Sequence, residues 1–157
     1  MKVGQNVSVD RSALFDENHA WLIEIGDDVT VAPEAYFLAH DASTKRALGY
    51  TRIGRTRIER GALIGARAMI LPGITVGSNA IVAAGSVVVR NVPPGTIVAG
   101  NPAREVGDAA AYLDREAEEV SRLPCFPADG YTVGRGITQA TKQEMVDALA
   151  NRRGFVE

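Results

Sequence analysis

The sequence predicts an all-β fold, a parallel β-helix of hexapeptide repeats, followed by a C-terminal helical extension. Three observations carry this. The first is a beat of six residues. From Ile58, steps of six land on Ile64, Ile70, Val76, Val82 and Val88, each a β-branched aliphatic residue. The second is that other positions keep the same beat. Glycine follows the anchor at Gly4, Gly26, Gly65 and Gly77, and Asn or Asp stands three after it at Asn6, Asp28 and Asn79. The third is a change of pattern after about residue 106, where Ala and Glu replace the beat.

A period of six fits neither an amphipathic helix nor a strand alternating in pairs. It suits a short strand followed by a sharp corner. The β-branched anchor favours a pleated, half-buried surface. Gly, Asn and Asp accept the positive φ of a tight corner. Three strand-and-corner units close one triangular coil of about eighteen residues, and stacked coils bury an aliphatic column on each face.

The elements follow in order. Residues 1–40 form the first coils, anchored by Val3, Val9 and Phe15, then by Ile25, Val31 and Phe37, with a frame slip around residues 17–22. Residues 41–52 are polar and break the beat, so they read as a loop leaving the coil. Residues 53–100 are the most regular coils. Val92-Pro-Pro-Gly95 and Gly100-Asn-Pro102 close them with turn chemistry. The β-helix domain is therefore placed at residues 1–106 and the extension at 107–157. Within the extension, residues 108–122 read as an amphipathic helix through Ala109, Tyr112, Leu113, Ala117 and Val120, stopped by Pro124 and Pro127. Thr138 is the expected N-cap of a second helix reaching about Ala150. These helices are expected to cover an open coil end, whose strand edges otherwise lack partners.

Bulk properties bound the function. Hydrophobic residues make up 46% of the 157 and charged residues 23%, and the net charge is −2. The local run Lys45, Arg46, Arg52, Arg55, Arg57 and Arg60 lies in a chain without a basic balance, so nucleic acid is not an expected partner. No apolar run is long enough to enter a bilayer as a span, and residues 1–14 hold no apolar core of a signal peptide. Cys125 is the only cysteine, so no intrachain disulfide forms and a reducing, cytoplasmic setting is expected.

Across residues 23–106 the sequence resembles the hexapeptide-repeat acyltransferases, in particular O-acetyltransferases of sugars and surface polysaccharides. The resemblance rests on Ile25-Gly-Asp-Asp-Val-Thr-Val-Ala-Pro33, Phe37-Leu-Ala-His-Asp41, and the block from Ile64-Gly-Ala-Arg through Val82-Ala-Ala-Gly-Ser86 to Val98-Ala-Gly-Asn-Pro-Ala-Arg104. It implies a left-handed coil, which spacing alone does not give, and a homotrimer. It also implies acetyl-CoA as cosubstrate and a small carbohydrate acceptor. The alternatives are an N-acyltransferase acting on an amino sugar nucleotide and a β-helix scaffold without catalysis.

By the same resemblance His40, at the end of the regular coil and before the loop, is the general base. Histidine suits this role because it gains and loses a proton near neutrality. Asp41 is adjacent, but neighbouring strand residues point to opposite faces, so the group that orients His40 is left open. Ala66, Ala84 and Arg104, with Gly85, Ser86 and Arg90 close by, are the implied coenzyme A contacts. The small residues would admit pantetheine and the arginines would pair with phosphates. His19, Trp21 and Asp41 are weaker candidates for the acceptor pocket. Ala66 stands where sugar acetyltransferases carry a serine, so a backbone N–H would have to meet the oxyanion. A carbonic anhydrase of this fold holds its metal with three histidines. This sequence has two and no zinc-ligand cysteine spacing, so no metal is expected.

Overall fold

The computed structural model describes residues 1–157. It divides into two compact units, residues 1–110 and 111–157.

The first unit is the stacked coil. Three parallel ladders run its length. One pairs Lys2–Val3, Ile23–Ile25, Thr56–Ile58 and Thr75–Val76. The second pairs Ser8–Val9, Thr30–Val31, Leu63–Ile64, Ile81–Val82 and Thr96–Gly100. The third pairs Leu14–Phe15, Tyr36–Phe37, Met69–Ile70 and Val87–Val88. Each anchor of the six-residue beat sits above another anchor, as in Ile58 under Val76 and Ile64 under Val82. Ile25, Val31, Phe37, Ile58, Ile64, Ile70, Val76, Val82 and Val88 are all buried. The residues four after the anchors turn inward at the corners: Val29, Ala35, Ala62, Ala68, Ala80 and Ser86 are buried too. Full burial of a Val or Ile side chain contributes about 1.5–3 kcal/mol, so these columns are the main stabilising term.

The corners explain the rest of the repeat. The residue three after the anchor has positive φ at Asn6, Asp28, Glu34, Gly61, Arg67, Gly73, Asn79 and Gly85, between 54° and 82°. The glycine directly after the anchor has a different cause. A Cβ on Gly65 would lie 2.5 Å from the Ala84 nitrogen, so glycine there lets one coil rest on the next.

The pairing offsets locate the breaks in the beat. Regular coils repeat every 18 residues, from Ile58 to Val76, Ile64 to Val82 and Ile70 to Val88. The first coil needs 22 residues, from Val3 to Ile25 and Phe15 to Phe37. The next needs 33, from Ile25 to Ile58 and Phe37 to Ile70. Both excursions leave from the same corner, after Phe15 and after Phe37, and both return to the first ladder. The shorter one makes a 3-10 turn at Ala20–Leu22. The longer one is more ordered than its polar sequence suggests. His40–Asp41 pairs antiparallel with Arg52–Ile53, and a short helix α1 (Lys45–Leu48) ends at Gly49 with φ 76°.

The expected turn at Gly100-Asn-Pro102 forms, and an unexpected strand follows it. Thr96–Gly100 continues the second ladder, then folds back through Asn101–Pro102 onto Ala103–Asp108 as an antiparallel pair. Residues 103–108 lack the beat of six, which is why the sequence pattern did not disclose a strand there.

The C-terminal helices form close to the expected limits. Helix α2 spans Ala109–Val120 and α3 spans Gln139–Ala148. Thr138 is the N-cap of α3, its hydroxyl accepting from Thr141 N–H while Thr141 returns the bond to Thr138 N–H. Within the second unit a short parallel pair, Cys125–Phe126 with Phe155–Val156, had no sequence signal.

Candidate active site

The two excursions stack, and that brings residues 24 apart in sequence into contact. Asp16 begins the shorter excursion. Its N–H donates to Phe37 O at 2.9 Å, which fixes it under the chain leading to His40. Below this point the rings of Phe15 and Phe37 stack with centroids 5.0 Å apart. Asp16 is 1% exposed, and a buried carboxylate needs partners. It has four. Oδ1 accepts from Asn18 N–H and His19 N–H, both at 3.0 Å, and Oδ2 accepts from Ala39 N–H at 2.9 Å and His40 Nδ1 at 2.5 Å. Burial alone would raise the carboxyl pKa. The bonds from Ala39, His40 and His19 outweigh it and hold the group at about 2.

An ionised carboxylate can only accept, so His40 carries its proton on Nδ1 and its Nε2 keeps a lone pair. The imidazole is thereby held as an oriented base. The carboxylate also stabilises the imidazolium that forms when Nε2 takes a proton. The orienting group left open by the sequence is Asp16. No local signal marked it, because Asp10 follows its anchor in the same way. The 22-residue offset that sets Asp16 level with Leu38, within reach of His40, emerges only from the ladder register.

His19 belongs to the same cluster. Its ring lies 5.1 Å from that of His40 and 5.3 Å from Trp21. Trp21 is 67% exposed, beside the histidines. Asp41 takes a different part. Its Oδ1 accepts from Ser43 N–H and its Oδ2 from Arg52 at 2.5 Å, so it fastens the foot of the longer excursion. These bonds hold its carboxyl at about 2. Asp16, His19 and His40 place ligand-type atoms within 4.8 Å of one another, a spacing open to a cation. The expectation of no metal weighed histidines and cysteine spacing and left out this carboxylate. With two donors already on each Asp16 oxygen, the arrangement is described more fully as a proton-handling cluster.

The residues expected to meet coenzyme A fall into two grooves and the core. Ala66, Ala84 and Gly85 line one groove of about 500 Å³ with Pro33, Glu34 and Arg67, at the corner between the second and third ladders. Arg90 and Arg104 line another of about 250 Å³ with Asn91, Pro93 and Glu105. Ser86 is in neither. It is fully buried and its hydroxyl accepts from Gly100 N–H at 3.2 Å. Its place four after Val82 is the inward corner position that Ala62, Ala68 and Ala80 also occupy.

Residues 55–90 match the model of the hexapeptide repeat of succinyl-transferase. The hexapeptide-repeat containing acetyltransferase of Vibrio cholerae superposes with a TM-score of 0.56 at 27% identity, covering 69% of this chain and 73% of that one. The chain has the fold of these hexapeptide-repeat acetyltransferases. The coil is accordingly left-handed. Two further members of this fold show the same likeness. The maltose O-acetyltransferase of Clostridium difficile 630 gives a TM-score of 0.56 at 27% identity, over 68% of each chain. A galactoside acetyltransferase in complex with coenzyme A gives 0.56 at 25% identity, over 69% of this chain and 64% of the other. By sequence, 66 residues are 50% identical to the 2,3,4,5-tetrahydropyridine-2,6-dicarboxylate N-acetyltransferase of Staphylococcus aureus strain RF122, covering 42% of this chain. The match spans 28% of that enzyme's length.

Proposed function

We propose that the protein is an acetyl-CoA-dependent acetyltransferase, and that its acceptor is a hydroxyl of a sugar, nucleotide sugar or polysaccharide precursor. The observation that carries the reading is the buried Asp16 carboxylate holding the His40 imidazole at a corner of a hexapeptide-repeat coil. His40 Nε2 removes the proton as the acceptor oxygen attacks the thioester carbonyl. The carbon–sulfur bond then breaks and the proton passes to the departing thiolate. The O-transfer reading draws support from the galactoside and maltose enzymes among the structural neighbours.

The groove of Ala66, Ala84 and Gly85 is the place we assign to the pantetheine arm, with Arg104 and Arg90 toward the phosphates. A homotrimer would close this groove with a second coil. Exposed Leu14, Ile53 and Tyr50 offer apolar surface for such a neighbour. The C-terminal unit is read as an extension of a catalytic coil. No helix is long and apolar enough to cross a membrane, and with a lone cysteine we place the reaction in the cytoplasm.

A second reading, N-acetyl transfer to an amine, is favoured by the 50% identity to the Staphylococcus aureus enzyme. One experiment separates the two. Thiol release from acetyl-CoA is followed over a panel of sugars and their amino counterparts. Turnover on hydroxyl acceptors supports O-transfer, turnover confined to amines replaces it with N-transfer, and no turnover on either removes the enzyme reading.

A further inference from the structure

The cluster contains one polar atom that the chemistry above does not use. His19 Nδ1 is buried and has no hydrogen-bond partner. It lies 3.8 Å from Asp16 Oδ1, which already accepts two backbone N–H groups. A lone pair on Nδ1 would face a carboxylate and be repelled, whereas an N–H there is attracted. The proton therefore sits on Nδ1 and the lone pair on Nε2, the arrangement His40 has for a stronger version of the same reason. A buried polar group left without a partner destabilises the fold. Such local costs gather at functional sites.

Resting on the acetyl-transfer reading, we propose that His19 is a second acceptor-facing imidazole, and that the site selects a vicinal diol. Two imidazoles lie side by side with ring centroids 5.1 Å apart. Asp16 turns the Nδ1 edge of both toward itself, so both lone pairs lie on the far edges. The His19 side chain is 26% exposed while its Nδ1 is covered, so the accessible part of the ring is not the Nδ1 edge. His40 takes the proton of the hydroxyl that attacks. His19 accepts a hydrogen bond from the neighbouring hydroxyl and takes no proton. A lone hydroxyl fills one of these positions, and a sugar ring with adjacent hydroxyls fills both. Trp21, against the His19 ring, adds a flat apolar surface suited to the C–H face of a pyranose.

Two measurements on the intact protein test this. With only two histidines, nitrogen-15 imidazole spectra of the wild type and one histidine variant assign both rings. His19 protonated on Nδ1 is the expected result, and protonation on Nε2 overturns the proposal. The second compares acetyl transfer to a methyl hexoside and its mono-deoxy analogues. The wild type is expected to favour the diol, and in His19→Phe that preference falls about tenfold. His19→Gln, which restores an acceptor oxygen, recovers part of it. An equal loss of kcat/KM on diol and deoxy acceptors assigns His19 to structure alone and overturns the proposal while leaving acetyl transfer standing. A wild type that acetylates no hydroxyl overturns the O-transfer reading, and this proposal with it.

Discussion

At the scale of residues the proposed chemistry turns on Asp16 and His40. His40→Ala is expected to bind acetyl-CoA and lose about 10²–10⁴ in kcat, the usual worth of a general base. Calorimetric titration checks the first part and thiol release the second. A variant that turns over at the wild-type rate would remove His40 from the mechanism. Asp16→Asn tests the orienting bond. Its amide NH2 would face a donor, either Ala39 N–H or an N–H of the Asn18–His19 turn. A loss of about 1–3 kcal/mol in stability should accompany the fall in kcat. Asp16 also predicts an acid transition. Its carboxyl is lowered from 3.8 to about 2 by folding, so the folded state binds the proton less readily than the unfolded chain. The resulting stability, up to about 2 kcal/mol, is fully present above pH 4 and drains away as the pH falls toward 2. Urea midpoints across that window should fall in the wild type and fall less in Asp16→Asn. Of this pair His40 was legible, because it ends a recognisable coil motif before a loop. Asp16 was not, because an exposed surface aspartate and a buried orienting one are spelled alike.

At the scale of elements the repeat contains two kinds of glycine, which should respond differently to substitution. Gly65 is needed for space, since an added Cβ meets the backbone of the coil above. Gly65→Ala should cost about 1–3 kcal/mol, read as a lowered urea midpoint. Gly85 is needed only for its φ of 70°, and nothing lies within 4 Å of an added Cβ. Glu34 and Arg67 hold the matching conformation two coils and one coil below, with ordinary side chains. Gly85→Asn should therefore change stability by less than about 1 kcal/mol. A large loss in Gly85→Asn with none in Gly65→Ala would reverse this assignment. The beat itself, the frame slip and both C-terminal helices could be read in the sequence because each repeats or caps in a local pattern. The strand at residues 103–108 and the pair formed by Cys125–Phe126 and Phe155–Val156 could not, since each depends on a partner rather than on a period.

At the scale of the whole molecule, the groove proposed for the donor is lined by one coil stack and faces outward. Acetyl-CoA binding should therefore depend on association. Sedimentation is expected to give three times the 16.7 kDa chain mass. A monomer that still binds acetyl-CoA in the micromolar range would show that one coil suffices and would withdraw the closed groove. The fold class was legible because a solenoid repeats its own core. The residues of a subunit interface were not, because apolar residues such as Leu14 and Ile53 look the same whether a neighbouring chain or solvent covers them.

The two excursions after Phe15 and Phe37 leave and rejoin the stack at one corner, without shifting the ladders on either side. The groove proposed for the donor lies at a different corner, between the second and third ladders. On the proposed reading, the donor groove and the histidine cluster thus occupy separate edges of the coil. Chain can be added or exchanged at one edge with no change of phase at the other, and doubling such a loop adds only about 0.6 kcal/mol of closure entropy. An excursion of another length or sequence, transplanted between Asp41 and Arg52 so that His40 stays in place, should redirect the same acetyl chemistry to a new acceptor.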